Sequence, residues 1–405
     1  MTNEILLSIL IPTRNREKYA IQVIKHILEF NNNNFHLVIQ DNSDSKNLEI
    51  LLDEYECDSR LNYFYCGNIL SFVDNFNLGI SNCKGQYLTI IGDDDGINGE
   101  IFDITYWASL NKIDAISPSL SSIYFWPKSG VNREKDNGRL TIDHLSSNMS
   151  FRDTKKELIK FLNNGCHNYL NYNLGKAYHG VIKKSVLEKI KIKTGRYVGG
   201  LSPDIYLSIA ISLIIDKVLI IDYPLTISGI CKKSGSSDSA TGRHTGSLNK
   251  APHFIGNDNY IWSKNVPPFY CVETIWADSA LAAINDLNKL SYLNYYNQFK
   301  LSAYCIKTHK DFKSLILSHL KSYKHKSNST VLNFKLSKSY LSIFINKKIR
   351  FLSRIIKKIM INNSKVYFNI KDINTASILC NEFLVKQTKT LQTKKIKFSK
   401  KRVKN

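Results

Sequence analysis

The first hundred residues alternate between short apolar runs and stretches in which apolar residues recur every three or four positions. The runs are rich in β-branched and aromatic residues and are too short for helices, so they predict buried strands. Four such runs lie at Leu6 to Ile11, Phe35 to Gln40, Asn62 to Cys66 and Tyr87 to Ile91. Strands that alternate with helices at short intervals predict an α/β fold with a mostly parallel sheet.

Polar side chains follow the predicted strands at the point where each strand ends. Thr13 and Arg14 follow the first strand, and Asp41 follows the second. The fourth strand ends in Asp93, Asp94 and Asp95. Because carboxyl ends of parallel strands meet at one edge of a sheet, where open α/β sheets bind ligands, this edge is the predicted site.

Three adjacent carboxylates repel one another and need either solvent or a cation. Hard oxygen ligands at the end of a central strand suit Mn²⁺ or Mg²⁺, and such an ion is usually shared with substrate phosphates. An acidic surface turn is the alternative interpretation of the triplet by itself.

The charge distribution and the cysteine spacing limit which classes of protein are possible. The 405 residues carry a formal net charge of +22, and residues 300–405 hold 26 basic side chains against three acidic ones, so the basicity belongs to the C-terminal quarter. The eight cysteines include no C-x-x-C pair and no Cys/His group at zinc spacing, which favours reduced thiols. The N-terminus lacks a signal-peptide pattern, and charges interrupt the longest apolar region, 205–227. These features predict a cytoplasmic protein.

Four motifs occur in a specific order: S-I-L-I-P-T-R-N-R at 8–16, I-Q-D-N-S-D at 39–44, N-L-G-I-S-N-C-K-G-Q-Y at 77–87 and G-D-D-D-G at 92–96. In this order and spacing they resemble the signatures of family 2 glycosyltransferases with the GT-A fold. The resemblance covers about the first 120 residues and continues more weakly to about residue 235. It implies a Rossmann-like, mostly parallel sheet flanked by helices, a nucleotide-sugar donor and a divalent metal ion.

The resemblance also implies roles for single residues. Donor-binding residues would be Pro12, Thr13, Arg14, Asp41, Asn75, Asp93 and Asp94. Asp93 and Asp95 would form the D-x-D motif that holds the metal and the diphosphate. Two positions depart from the family pattern, since Phe76 stands where an arginine is common and Gln86 where a glutamate is common. The first change removes a phosphate or nucleoside contact, so the identity of the donor stays open.

Asp204 lies at the start of a predicted helix. Ser202 is a good N-cap, Pro203 is a good first residue, and a carboxylate in the first turn interacts favourably with the helix dipole. The resemblance implies that Asp204 is also the general base, and the two roles are compatible. His179, in a predicted strand at 178–182, has either a substrate or metal contact or a structural hydrogen bond. The Gly/Ser/Lys loop at 228–246 either closes over a diphosphate or is simply flexible.

The C-terminal region contains a basic amphipathic pattern. From Leu341 to Ile361, apolar residues recur at steps of four and three, and lysines and arginines lie around them. Such a helix suits an anionic membrane surface. A helix packed on its own domain with a solvated basic face is the alternative. The basic residues 388–405 are expected to be disordered.

These features predict three units: a catalytic GT-A domain at 1–245, a helical extension at 246–330 and a basic helix with a tail at 331–405. The predicted activity is inverting, metal-dependent transfer of a sugar from a nucleotide-diphosphate sugar to a lipid-linked oligosaccharide in O-antigen or capsule biosynthesis. The predicted location is the inner face of the bacterial cytoplasmic membrane, without specific nucleic-acid binding. The alternatives are a sugar nucleotidyltransferase, which lacks support because no Gly-rich loop follows the first strand, and a polyanion-binding protein that uses the basic tail.

Overall fold

The computed structural model describes residues 5–131, 137–232, 244–248, 251–257, 259–323, 329–360 and 363–386. Its strands are β1 Leu7–Thr13, β2 Phe35–Asp41, β3 Leu61–Tyr65, β4 Tyr87–Ile90, β5 Gly96–Ile97, β6 Ala115–Pro118, β7 Ser122–Phe125, β8 Arg139–Ile142, β9 Met149–Asp153, β10 Val181–Lys183, β11 Lys217–Ile221, β12 Thr226–Ile230, β13 Thr245–Ser247, β14 Phe269–Cys271 and β15 Lys365–Phe368.

The helices are α1 Glu17–Leu28, α2 Asn47–Leu51, α3 Phe72–Asn82, α4 Glu100–Leu110, α5 Thr154–Asn163, α6 Lys184–Thr194, α7 Pro203–Ile214, α8 Val272–Asp286, α9 Gln298–Thr308, α10 Lys313–Tyr323 and α11 Ser329–Met360. A further helix, α12, covers residues 373–386. Within the described residues, no helix is long and apolar enough to span a membrane.

An eight-stranded sheet with the order β3-β2-β1-β4-β10-β6-β11-β9 forms the centre of the N-terminal domain. The first four strands are parallel to one another, whereas β10 runs antiparallel to both β4 and β6, and β9 runs antiparallel to β11. Strands β1 and β2 are buried on both faces because helices cover the sheet on both sides. The predicted α/β fold with a mostly parallel sheet is confirmed.

Alternate residues of the central strands belong to two different apolar cores. Leu10, Val38 and Leu88 face the side that packs against α3 and α7. Ile9 and Leu37 face the side that packs against α1 and α4. The period of two along each strand therefore divides these nearly continuous apolar runs between two helical layers.

A five-stranded sheet, β15-β8-β7-β12-β5, begins immediately after the three aspartates and includes the C-terminal strand β15. The segment after β15 packs on the N-terminal domain: the Ser377 hydroxyl donates to the carbonyl of Ile97 at 3.0 Å, and Ile373 and Cys380 are fully buried. Residues 363–386 thus contact the domain that carries the predicted site. The division at 245/246 and 330/331 stays a prediction.

Three predicted segments differ in the structure. The strand predicted at 178–182 is shorter and shifted, because Tyr178 makes a single bridge to Ile90 before β10 begins at Val181. The loop predicted from residue 228 begins instead as part of β12, which pairs with β5 and β7. The helix predicted from Leu341 is the C-terminal part of the longer α11. The rest of that loop, 233–243, and the tail 388–405 lie outside the described residues.

Candidate active site

The ends of β1, β2 and β4 bring the predicted polar residues to one edge of the sheet. Thr13 and Asp41 are partners in the register of β1 and β2. The hydroxyl of Thr13 donates to Oδ2 of Asp93 at 2.6 Å, and this bond links the end of β1 to the loop after β4. The order Asp41, Thr13, Asp93 thus runs across three neighbouring strands, as the parallel topology predicts.

Arg16 forms ion pairs with two of the three aspartates. Its Nε lies 3.1 Å from Oδ1 of Asp93, and its Nη2 lies 3.0 Å from Oδ2 of Asp94. The same Nη2 donates to Sγ of Cys231, which follows β12. Arg16 was not among the predicted site residues. Its position immediately before α1 could have indicated a site residue, because the start of a helix fixes the direction of the side chain there.

Asp95 is 2% exposed and is held by donors from three segments of the chain. Its Oδ2 accepts from the Gly92 N–H at 2.6 Å and from the Tyr178 hydroxyl at 3.2 Å, and it lies 3.3 Å from Nε2 of His179. Its Oδ1 accepts from the N–H of Gly229 at 2.6 Å. Position 229 requires glycine, since a Cβ there would lie 1.7 Å from the carbonyl oxygen of Asp94.

Negative charge exceeds positive charge in this group. Burial raises the pKa of Asp93, and it raises the pKa of Asp94 to about 7, although Arg16 acts to lower both. Burial also lowers the pKa of His179, which keeps this residue neutral at neutral pH. Three carboxylates with one guanidinium leave an uncompensated charge and hard oxygen donors. These residues therefore fit a divalent cation in charge and in ligand type.

Asp204 occupies the first turn of α7 between two hydroxyl groups. Its Oδ1 accepts from the Ser202 hydroxyl at 2.5 Å, and its Oδ2 accepts from the Tyr169 hydroxyl at 3.0 Å. Ser202 is the N-cap residue, as predicted, but its hydroxyl binds Asp204 instead of a backbone N–H of the helix. Two hydrogen bonds fix the orientation of the carboxylate, which remains partly exposed.

Tyr178 and His179 connect the aspartate triplet with Asp204. Burial and the charges of Asp95, Asp94 and Asp204 all raise the pKa of Tyr178, so both groups of carboxylates act on this one phenol. His179 has a φ of 58°, an uncommon conformation for this residue type, and its Nδ1 lies 2.8 Å from the hydroxyl of Thr226. Both ring nitrogens of His179 thus have protein partners, which supports the structural alternative for this residue.

Lys176 is a buried cation in the same segment. It is 8% exposed, its Nζ lies 5.8 Å from the ring centroid of Tyr169, and burial lowers its pKa to about 8. Within the described part of the chain, no carboxylate lies at ion-pairing distance from Nζ. No periodicity or motif distinguishes Lys176 in the sequence, because its burial depends on contacts distant along the chain.

The other predicted donor residues have different surroundings. Oδ1 of Asp41 accepts from the Ser43 N–H at 2.8 Å, and its Oδ2 accepts from the Tyr63 hydroxyl at 2.8 Å. Asn75 is buried beside the ends of β1 and β2, and its Oδ1 has no hydrogen-bond partner. Arg14 pairs with Asp44 at 3.4 Å and makes no ion pair with the triplet among the described residues. Pro12, partly buried, lies opposite Gln40 in the register of β1 and β2. The donor-binding roles stay predictions.

The sequence matches a known family over this part of the fold. Residues 8–101, which include the triplet, match the family model described as Glycosyl transferase family 2. The predicted resemblance to family 2 glycosyltransferases is therefore confirmed over residues 8–101.

Two curated relatives match part of the chain. The glycosyltransferase GlyG of Streptococcus pneumoniae is 28% identical over 102 residues, which cover 25% of this chain and 34% of GlyG. An uncharacterized glycosyltransferase of Rickettsia conorii is 32% identical over 93 residues, 23% of this chain and 15% of that protein. The chain thus covers about a third or less of the length of these relatives.

Solved structures of TarS from S. aureus resemble this chain with TM-scores below 0.5. Residues 1–349 of TarS with UDP-GlcNAc give a TM-score of 0.44 at 12% identity, covering 78% of this chain and 92% of that one. The complex with UDP gives 0.42 at 13% identity, covering 82% and 88%. The fold described above rests on the strand order and pairing within this chain.

The raised pKa of Asp94 predicts a pH effect on stability. Between about pH 4 and pH 7, the folded state keeps a proton that the unfolded state has lost, so this residue lowers the free energy of unfolding as pH rises. The variant Asp94→Asn removes this contribution. In EDTA, its stability relative to wild type should rise by up to about 4 kcal/mol from pH 4 to pH 7, measured by urea unfolding. The exposed Asp103→Asn is the control. Equal pH dependence of wild type and Asp94→Asn would contradict the assignment.

Proposed function

We propose that the protein is a metal-dependent, inverting glycosyltransferase that moves a sugar from a nucleotide-diphosphate sugar to a hydroxyl of a lipid-linked saccharide. The supporting observation is that one partly buried phenol, Tyr178, is subject to the charges of both the aspartate triplet and Asp204. An uncompensated group of carboxylates suits a metal–diphosphate, and a separate oriented carboxylate suits an acceptor proton. Sugar transfer needs both functions near one another.

The donor is assigned to the ends of β1, β2 and β4. Asp41 is proposed to accept hydrogen bonds from the nucleoside, and Asn75 offers a buried acceptor without a partner beside it. Asp93 and Asp95 are proposed to hold Mn²⁺ or Mg²⁺. Oδ1 of Asp95 accepts one hydrogen bond and keeps a second lone pair for an ion. When bound, the ion supplies positive charge to the departing diphosphate.

Arg16 and Lys176 supply the positive charges of the chain itself. Arg16 already balances Asp93 and Asp94, so it is placed to contact the diphosphate as these carboxylates turn toward the ion. The ammonium of Lys176 is proposed to face negative charge on the substrates, because a buried cation without an ion pair is otherwise costly. Both residues act by binding and orienting.

Asp204 is proposed to take the proton of the acceptor hydroxyl as the glycosidic bond forms. The Tyr169 and Ser202 hydroxyls hold its carboxylate in one orientation, which favours proton transfer in a defined direction. The position of Asp204 at the head of α7 leaves it partly exposed to an incoming acceptor. Inversion, which the family resemblance implies, would require the acceptor to attack the face of the sugar opposite the diphosphate.

The C-terminal half of α11 is proposed to lie on an anionic membrane at the cytoplasmic face. The N-terminal half is packed, since Leu332, Leu336 and Ile343 are buried against α9 and α10. The C-terminal half exposes apolar side chains: Phe344, Ile345, Ile349, Phe351, Leu352, Ile356 and Ile359. The 26 basic residues of the C-terminal quarter favour an anionic surface as the occupant.

Activity is tested by product analysis. We expect release of a nucleoside diphosphate from one of a panel of nucleotide sugars, in Mn²⁺ and with a bacterial envelope extract as acceptor. Release of pyrophosphate from a nucleoside triphosphate and a sugar phosphate would instead identify a nucleotidyltransferase. Turnover that EDTA does not affect would contradict the metal requirement.

The aspartates should differ in their effects on ion-dependent stability. Asp93→Asn should abolish the Mn²⁺-dependent rise in Tm that a nucleoside diphosphate produces, with little loss of Tm in EDTA. Asp95→Asn should lower Tm in EDTA as well, because Asp95 accepts from Gly229 and Tyr178. Thermal unfolding with and without Mn²⁺ measures both effects. An undiminished Mn²⁺ response in Asp93→Asn would exclude this residue as a ligand.

The general base is tested by Asp204→Asn. The amide keeps the size of the side chain but cannot accept the proton, so turnover should fall by about 10²–10⁴-fold with unchanged donor affinity. Asp103→Asn, in the first turn of α4, is the matched control. A lower Tm with turnover per folded molecule preserved would indicate a purely structural role for Asp204.

Membrane binding is tested on two exposed residues of α11. Replacing Ile349 and Ile356, which are 56% and 55% exposed, with glutamine should weaken binding to anionic liposomes by about 100-fold or more, since each isoleucine contributes about 1.5–3 kcal/mol on burial. Ile192→Gln, at an 82% exposed position on α6, is the control. Unchanged liposome binding would exclude this face, and equal retention on duplex DNA and liposomes would indicate a general polyanion binder.

A further inference from the structure

A second group of metal-binding side chains lies in the C-terminal helical region, on elements that carry none of the residues assigned above. Ligand atoms of Cys271, Glu273 and His309 all lie within 4.8 Å of one another. Cys271 ends β14 and is the N-cap residue of α8, Glu273 lies in the first turn of α8, and His309 is the C-cap residue of α9. Two chain segments that are distant in sequence therefore meet at one point.

Cys305 supplies a fourth donor. It precedes His309 by four residues, one turn of α9, so the two side chains lie on the same face. The thiols of Cys305 and Cys271 are close enough for each to shift the pKa of the other, and both side chains are fully buried, although Cys305 lies outside the group of ligand atoms within 4.8 Å. The cluster thus offers two sulfurs, one imidazole nitrogen and one carboxylate oxygen.

We propose that Cys271, Glu273, Cys305 and His309 bind one Zn²⁺ ion with tetrahedral geometry. Sulfur and imidazole ligands favour zinc over Mg²⁺ or Mn²⁺, which prefer oxygen. Zinc–ligand bonds of about 2.0–2.3 Å place tetrahedral ligand atoms about 3.3–3.8 Å apart. Nε2 of His309 lies 3.2 Å from Oε2 of Glu273, close to this spacing, and a side-chain movement of Cys305 would be needed to complete the site.

The surroundings hold the donors in place. The Thr274 hydroxyl accepts from the N–H of Cys271 at 2.9 Å and lies 3.4 Å from its sulfur. The ring of His309 packs edge-on against Phe269, with centroids 5.9 Å apart.

The ion would stabilise the structure around the start of α8, and α8 in turn contacts the segment that precedes Asp204. It would join β14 and the start of α8 to the end of α9. Two turns further along α8, the Ser279 hydroxyl accepts from the N–H groups of Leu201 and Ser202 at 3.1 and 3.0 Å, immediately before Asp204. All four positions are filled by protein ligands, which is typical of structural zinc rather than catalytic zinc.

The test measures the metal and its sulfur ligands in the full-length protein. Protein purified under reducing conditions without added metal should contain about one zinc ion per chain by elemental analysis. After exchange with Co²⁺, it should show thiolate-to-cobalt charge-transfer absorption, which oxygen ligands at the aspartate triplet cannot produce. Chelation of the zinc should lower Tm. Protein without zinc that also gives no charge-transfer band with Co²⁺ would overturn the proposal.

Variants separate this site from other thiols and from the aspartates. Cys271→Ser and Glu273→Gln should lose zinc and weaken the cobalt spectrum, whereas the buried control Cys166→Ser and the variant Asp93→Asn should keep both. If Cys271→Ser does not fold, Glu273→Gln remains a test, because glutamine keeps a hydrogen bond to His309 but is a poor ligand. Full zinc content in Glu273→Gln would contradict the proposed four-ligand site, and a Cys271–Cys305 disulfide found by mass spectrometry would contradict zinc binding.

Discussion

The carboxylate of Asp95 is the interaction on which the arrangement of the site depends. Its hydrogen bonds join the loop after β4 to Gly229 of β12 and to Tyr178 before β10, segments 134 and 83 residues away along the chain. Each segment also carries or positions another part of the site: β12 leads to Cys231, which contacts Arg16, and Tyr178 lies between the triplet and Asp204. A buried charge that loses these donors would be strongly disfavoured, so the three segments are fixed together.

The sequence was sufficient for the parts of the fold that depend on local patterns. Strands β1, β2 and β4 were predicted because short apolar runs are distinctive, and the start of α7 was predicted because Ser202 and Pro203 are characteristic helix-starting residues. The shared edge for Thr13 and the triplet follows from parallel topology. The family motifs are also local patterns, and the matched segment, 8–101, contains the three aspartates but not Asp204.

Features that depend on distant contacts could not be predicted. The ion pairs of Arg16 require the first and fourth strands to be neighbours, and the burial of Lys176 requires the packing of the segment around Tyr169. The cysteine and histidine side chains of the proposed zinc site are separated by up to 38 residues, so no short spacing reveals them. The bounds of the antiparallel strand β10 were also difficult to predict, because a three-residue strand has too few positions to show a period.

The pairing of β15 with β8 has a consequence for the order in which the protein can fold during synthesis. Ile373, just after β15, packs against Gly96, so closely that a Cβ on that glycine would lie 2.9 Å from its Cδ1. The glycine that ends the aspartate loop therefore packs against a residue that is synthesised much later. Contacts of such large sequence separation form slowly, so the acidic loop is synthesised well before the segment that packs against it.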